Sequence, residues 1–217
     1  MVLIEVCTET LEGAKAAQEG GAHRIELCAE LDLDGLTPSG DLLRAVKEAV
    51  DIPVLCMARP CGGSFHLGAE VFEKLLEHAK RLSTFGTDGL VVGMMTSEGE
   101  IDVHQLSQLM QVADGLPVTF HRAFDDAPNA EEALETLIAH GVKRVLTSGC
   151  RGNAEQGTAQ LKKLVGQAAG RIAIVVGGGV RAHNAQQLRQ ATGAMEFHSA
   201  LDRNPSAASV RELVQSF

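Results

Sequence analysis

The chain contains neither tryptophan nor tyrosine, and its seven phenylalanines are the only large aromatic side chains among 217 residues. Proteins that bind single-stranded nucleic acid stack bases on aromatic rings and line the path of the backbone with positive charge. This chain instead has a formal net charge of −9. The composition therefore argues against a nucleic-acid partner.

Other signals are also missing. No apolar run is long enough to cross a bilayer, no basic segment precedes an apolar run near the start, and no linker or low-complexity segment divides the chain. The five cysteines form no CxxC pair, and their odd number favours reduced thiols over a disulfide framework. We expect one cytoplasmic domain over residues 1–217, with no membrane partner; a homo-oligomer remains open.

Four short segments repeat one pattern, a glycine followed by an apolar strand: 21–25 (GAHRI), 86–90 (GTDGL), 141–145 (GVKRV) and 193–197 (GAMEF). Glycine just past a helix can adopt the left-handed conformation without a Cβ penalty, so each segment predicts a helix end and a strand start. The intervening strands begin near 51–54, 115–118 and 170–173, which gives four βαβα quarters at a spacing of roughly 50 to 65 residues. This rhythm predicts a (β/α)8 TIM barrel.

Strands are predicted near residues 2–7, 23–28, 53–59, 88–93, 117–122, 143–148, 172–177 and 195–199, each followed by a helix, the last near 206–217. Alternation along the strands separates two faces. The face toward the helices carries Ile4, Val6, Ile25, Leu27, Val118, Phe120, Met195 and Phe197. The inward face carries Glu5, Cys7, Arg24, Glu26, Cys28, Met57, Arg59, Thr119, His121, Glu196 and His198.

So many polar groups cannot survive unpaired inside a barrel. They either form a buried ion network, such as Arg24 with Glu26 or Arg59 with Glu5, or border a wet pocket. Several lie near the C-terminal strand ends, where barrel enzymes keep their chemistry. The candidate catalytic residues are Glu5, Glu26, Arg59, His121 and His198.

A glycine-rich turn leaves the seventh strand at Gly177, Gly178 and Gly179 and leads to Arg181 at the start of a helix. Free N–H groups and the helix dipole suit phosphate or carboxylate there, and Ser148 after strand six adds a hydroxyl. We predict an anion site at Ser148, Gly177, Gly178, Gly179 and Arg181. The alternative is a tight turn that merely needs glycine.

His121 ends the fifth strand and precedes Arg122 and Asp125. Asp125 could orient His121 as an acid or base. Alternatively, Arg122 takes Asp125 as a salt bridge and leaves His121 as an interior histidine.

Eight motifs, in this order along nearly the whole chain, resemble the CutC family: Ile4-Glu5-Val6-Cys7, 21–28 (GAHRIELC), 35–39 (GLTPS), 59–65 (RPCGGSF), 119–125 (TFHRAFD), 146–149 (LTSG), 177–181 (GGGVR) and 196–199 (EFHS). The resemblance implies a cytosolic (β/α)8 barrel with a role in copper homeostasis. The family usually reads Arg-Pro-Arg-Gly-Gly after strand three, and Cys61 replaces the second arginine in this chain.

Soft thiolates select Cu(I), and Cys7 and Cys28 share inward parity on neighbouring strands, so the pair is the candidate metal site. Both could equally be small buried apolar residues. Cys61 could be a third ligand or an exposed loop thiol, Cys56 has helix-facing parity, and Cys150 follows strand six.

Two function classes remain from the sequence. One is a protein that binds Cu(I) in the barrel pocket. The other is a barrel enzyme acting on a small anionic or phosphorylated substrate. It is favoured because the pocket holds more Arg, His, Glu and Thr than a two-cysteine copper site requires.

Overall fold

A computed structural model describes residues 1–149, 152–201 and 204–217. The strands are β1 (Leu3–Thr8), β2 (Arg24–Leu27), β3 (Val54–Met57), β4 (Gly89–Val92), β5 (Val118–Phe120), β6 (Arg144–Thr147), β7 (Ala173–Val176) and β8 (Glu196–Ser199). The helices are α1 (Leu11–Glu19), α2 (Gly40–Ala49), α3 (Ala69–Thr84), α4 (Val103–Ala113), α5 (Ala130–Ala139), α6 (Thr158–Ala168), α7 (Ala182–Thr192) and α8 (Ala207–Gln215).

The strands pair in parallel and in sequence order, and β1 also pairs with β8, which closes the barrel. The predicted (β/α)8 fold is confirmed. The four glycines of the repeat have φ values of 90°, 85°, 77° and 75° at Gly21, Gly86, Gly141 and Gly193. Each therefore occupies the left-handed region that favours glycine and turns the chain toward its strand.

The helix-facing side of the strands forms the main core together with the apolar stripes of the helices, and it includes Val6, Ile25, Leu27, Phe120 and Phe197. The predicted parity is confirmed for these residues. Met195 is the exception, because it precedes β8 and its side chain is 45% exposed.

The strands β2 to β7 end earlier than predicted, whereas β1 extends to Thr8, one residue beyond its predicted end, and β8 ends at Ser199 as predicted. Arg59 lies two residues beyond β3, and His121 lies just after β5. Both side chains are buried nonetheless, so they belong to the mouth of the barrel rather than to its sheet. Among the described residues, no helix combines the length and apolar character needed to cross a membrane.

A polar cluster at the C-terminal mouth of the barrel

Strand register brings the inward polar residues of β1, β2 and β8 together. Glu5 is paired with Arg24 on one side and with His198 on the other, and Cys7 is paired with Glu26. Because residues paired in register on adjacent strands share a face, their side chains meet inside the barrel.

Glu5 is the centre of a buried ion network. Its carboxylate accepts hydrogen bonds from Arg24 Nε at 2.5 Å and from His198 Nδ1 at 2.7 Å, and Arg24 also reaches Glu196 at 2.6 Å. Burial raises the pKa of Glu5, but the attraction of Arg24 and the bond from His198 outweigh it and leave the pKa at about 2. Glu5 is therefore ionised at neutral pH, and the pairings suggested from the sequence, Arg24 with Glu26 and Arg59 with Glu5, are replaced by Arg24 with Glu5.

Cys7 and Cys28 face each other across the β1–β2 pair. Their Sγ atoms are 3.4 Å apart, both side chains are buried, and the Cys7 thiol also lies 3.5 Å from Glu26 Oε1. They share a small apolar cluster inside the barrel with Leu55, Met57 and Val91. The hydrogen bond with Cys28 and burial raise the pKa of the Cys7 thiol well above its ordinary value.

Glu26 and His198 complete a compact group with Cys7. One donor atom from each of the three residues lies within 4.8 Å of the other two, and all three residues are buried. Burial raises the pKa of Glu26, and its Oε2 has no hydrogen-bond partner among the described residues. Burial lowers the pKa of His198, but the attraction of Glu26 and the bond to Glu5 outweigh it and raise the pKa overall.

Arg59 is held by the backbone rather than by an acid. Its guanidinium donates to the carbonyls of Leu33 at 2.6 Å, Gly35 at 3.3 Å and Gly63 at 3.1 Å, and it lies over the Phe65 ring at 5.0 Å. These contacts do not neutralise its positive charge, and although Asp34 in the cavity wall attracts it, no acid forms an ion pair with it among the described residues, which suits an anion at the mouth.

His121 is an interior histidine with a fixed ring. Its Nδ1 accepts the Ala123 N–H at 3.1 Å, so the neutral ring carries its proton on Nε2, which is buried without a partner among the described residues. Burial and the nearby Arg59 charge lower the pKa of His121 to about 3. The ring lies against Gly93 and 5.0 Å from the Phe65 ring.

Asp125 does not orient His121. Its carboxylate accepts the Arg122 Nε at 2.8 Å and the Ser148 hydroxyl at 2.8 Å, together with the Thr147 hydroxyl and the Ser148 amide. The salt-bridge alternative for Arg122 is therefore the one the structure adopts. Neutral His121 has to act as a hydrogen-bond donor rather than as a member of a His–Asp pair.

The glycine-rich turn follows β7. Gly178 and Gly179 both have positive φ, 85° and 92°, and their carbonyls accept the Ala154 amide and the Asn184 side chain. Arg181 folds back to Ser199 and to the carbonyls of Val180 and Ala200.

A cavity of about 430 Å³ opens at the mouth. The predicted site residues that line it are Cys7, Glu26, Arg59, His121, Gly178, Gly179, Arg181 and His198. Glu5, Cys28, Ser148 and Gly177 lie behind this lining. Ser148 Cβ lies 2.9 Å from where a Cβ on Gly178 would be, so Ser148 supports the turn from beneath.

Sequence reasoning did not place Phe65 or Arg122 in the cavity wall. Phe65 lies in a loop, where parity gives no information, and Arg122 was assigned only to a loop salt bridge. Of the remaining cysteines, Cys61 is exposed and Cys56 is buried on the helix-facing side, where burial raises the pKa of its thiol to about 12. Cys150 lies outside the described residues.

The closed barrel with its polar C-terminal mouth places the protein among (β/α)8 proteins that keep their functional groups at one end. Within that class, the sequence model of the CutC family matches residues 2–202. The human copper homeostasis protein cutC homolog is 43% identical over 215 residues, 99% of this chain and 77% of the human protein. A CutC family protein from Xanthomonas axonopodis pv. citri is 44% identical over 197 residues, 91% of this chain and 82% of its own length.

A solved structure agrees. The crystal structure of CutC from Streptococcus agalactiae superposes with a TM-score of 0.88 at 33% identity, covering 92% of this chain and 99% of that one. The chain belongs to the CutC family.

Proposed function

We propose that this CutC-family chain binds Cu(I) through Cys7 and Cys28 inside the barrel. The observation that carries the proposal is the 3.4 Å contact between the two buried Sγ atoms. Thiolate sulfur selects Cu(I) over harder ions, and no oxygen or nitrogen ligand matches it in softness. The name of the human relative, a copper homeostasis protein, supports a copper-related role.

The environment of the pair fits a cargo ion that needs protection from water. Leu55, Met57 and Val91 surround the sulfurs, Cys7 lines the cavity, and Cys28 lies behind it. Because the pKa of the Cys7 thiol is raised, Cu(I) has to displace a proton there, and its affinity should increase with pH.

Competition against a chromophoric Cu(I) chelator under reducing conditions tests the proposal. Cys61 and Cys150 are first replaced by Ser so that neither can mimic the site. In this background, Cys7→Ser and Cys28→Ser should each weaken the affinity for Cu(I) by more than roughly 10–100-fold. That range is the typical loss when a residue that only hydrogen-bonds to a metal ligand is replaced. Cys56→Ser, a buried cysteine of opposite parity, is the matched control and should retain the affinity. Unchanged affinity in both site variants would reject copper binding by this pair.

A second candidate is an enzyme that acts on a small anionic or phosphorylated substrate at the mouth. It is favoured by the Nε2 of His121, a buried donor that has no partner in the described part of the chain and for which a copper site has no use. In this proposal Gly178, Gly179 and Arg181 hold the anion, with Gly177 and Ser148 shaping the turn, and Arg59 neutralises charge.

The proton chemistry of that enzyme would fall to Glu26 and to the His121 Nε2–H. Glu5, the other carboxylate of the cluster, has a pKa of about 2 and is fixed by Arg24 and His198, so it orients His198 instead. Calorimetry with inorganic phosphate and small phosphate esters tests the anion site. Arg181→Ala should weaken binding, and Arg211→Ala on α8 is the control. Equal binding by wild type and Arg181→Ala would remove Arg181 from the site.

A further inference from the structure

Cys7, Glu26 and His198 offer three different donor atoms from three strands. They come from β1, β2 and β8, lie within 4.8 Å of one another and line the cavity. Cys28, the partner of Cys7 in the proposed copper pair, is not a member of this set.

One of the two ring nitrogens of His198 is already occupied by a hydrogen bond. Its Nδ1 is bonded to Glu5 Oε1 at 2.7 Å, and Glu5 is held in turn by Arg24 at 2.5 Å. Metal-binding histidines commonly donate their second nitrogen to a carboxylate in this way, which sets the tautomer and increases the basicity of the ligand nitrogen. Nε2 is therefore the nitrogen left for a ligand.

The charges of the cluster call for a divalent cation. Glu26 is 3% exposed, and its Oε2 has no partner among the described residues, so a bound cation would compensate a carboxylate charge that burial makes costly. Binding of a metal ion would displace the protons of Cys7 and His198, and the resulting Cys7 thiolate and Glu26 carboxylate would then contribute two negative charges while neutral His198 contributed none. The Glu5 charge is already paired with Arg24, which also binds Glu196.

We propose that Cys7, Glu26 and His198 form a three-ligand site for a divalent ion of the zinc type, with one coordination position open to the cavity. One sulfur, one oxygen and one nitrogen suit a borderline ion, and three protein ligands with an open fourth position are the pattern of reactive zinc sites. The site does not depend on copper binding, but it shares Cys7 with the copper pair. Zinc and Cu(I) should therefore compete.

Titration of the reduced protein with Co²⁺, followed by displacement with Zn²⁺, tests the site in the Cys61→Ser, Cys150→Ser background. The background protein with no further substitution should bind one equivalent of Co²⁺ and show a thiolate-to-cobalt charge-transfer band, which reports a cysteine ligand. Cys7→Ser should lose that band, and Glu26→Gln and His198→Gln should weaken binding by more than about 100-fold, beyond the loss typical of supporting residues.

Two controls separate this site from the copper pair and from unfolding. Cys28→Ser should keep Co²⁺ and Zn²⁺ binding while losing Cu(I), and His140→Gln, a histidine outside the cavity lining, should change neither. Far-UV circular dichroism identifies any variant that fails to fold, and Glu26→Asp then replaces Glu26→Gln, with weakened binding expected.

Two results would overturn the proposal. Absence of the charge-transfer band in the background protein would mean that Cys7 is not a ligand, which removes one of the three proposed donors. Co²⁺ binding that survives in His198→Gln at wild-type affinity would place the ion elsewhere.

Discussion

Gly93, the residue after β4, leaves the space in which the His121 ring lies. A Cβ added to Gly93 would be 2.1 Å from His121 Cε1, 2.5 Å from Nδ1 and 2.7 Å from Nε2, whereas ordinary contacts begin near 3.4 Å. Gly93→Ala therefore requires the ring to move by more than 1 Å. The ring has little room to do so, because Nδ1 holds the Ala123 amide and Phe65 packs nearby.

The side chain can respond in two ways. If the ring stays, overpacking a rigid site typically costs about 1–3 kcal/mol. If the ring rotates away instead, the clash is relieved but the buried Ala123 amide loses its acceptor, which costs about 1–3 kcal/mol. Either way, we expect Gly93→Ala to lower the free energy of unfolding by about 1–3 kcal/mol.

Urea unfolding followed by far-UV circular dichroism is the assay, because the chain has no tryptophan or tyrosine to report by fluorescence. The double variant Gly93→Ala, His121→Ala should be more stable than the sum of the two single effects by at least about 1 kcal/mol, since removing the ring removes the clash. Gly166→Ala is the matched control. Gly166 lies in α6, and apart from its chain neighbours and the backbone of its own helix, no atom of the described residues lies within 4 Å of its added Cβ, so this change should stabilise the protein by about 0.5–1 kcal/mol.

A loss below about 1 kcal/mol in Gly93→Ala, or strict additivity in the double variant, would refute the reasoning. Either result would mean that the His121 ring moves freely and that its position at the cavity wall is not imposed by packing.

Three further predictions follow from other contacts. The pKa of Glu5 falls from 4.5 to about 2 on folding, so its contribution of about 3 kcal/mol is present above pH 4.5 and is lost as pH falls through about 2; Glu5→Gln should flatten acid unfolding over that range, and an unchanged profile would contradict this. Exposed Cys61 should react with iodoacetamide at pH 8 well before buried Cys7 and Cys56, and mass spectrometry showing equal rates would refute the burial argument. Asp102 caps α4 by accepting two backbone N–H groups, so Asp102→Ala should lower the unfolding free energy by about 1 kcal/mol in urea, and no loss would contradict the cap.

The fold could be predicted because its signals are local. A glycine after each alternate helix and the two-residue alternation of each strand are properties of short segments, and together they predicted the barrel and its inward face. The prediction for Met195 was wrong because the alternation was extended to the residue before the start of β8, where the side chain is 45% exposed.

The partners inside the site could not be predicted in the same way. Parity places Glu5, Arg24 and Glu26 on one face, but only the register of β1 with β2 pairs Glu5 with Arg24 and leaves Glu26 beside Cys7. A shift along the strands would exchange these partners without changing the sequence pattern. The partners of Arg59 could not be predicted for a different reason. They are backbone carbonyls in the segments after β2 and β3, and every residue type has a backbone carbonyl, so the sequence does not indicate which ones bind Arg59.

The pairing of β1 with β8 also sets the order in which the protein can be built. Glu5 and His198 are 193 positions apart, so the loop that their contact closes is nearly the whole chain, and such contacts form late in folding. As the chain leaves the ribosome, Arg24 is synthesised soon after Glu5, whereas the second described partner of Glu5, the His198 imidazole, is synthesised only with the last strand. The barrel therefore closes and its mouth is completed in the same step. A nascent chain halted before β8 has neither a closed barrel nor a complete mouth.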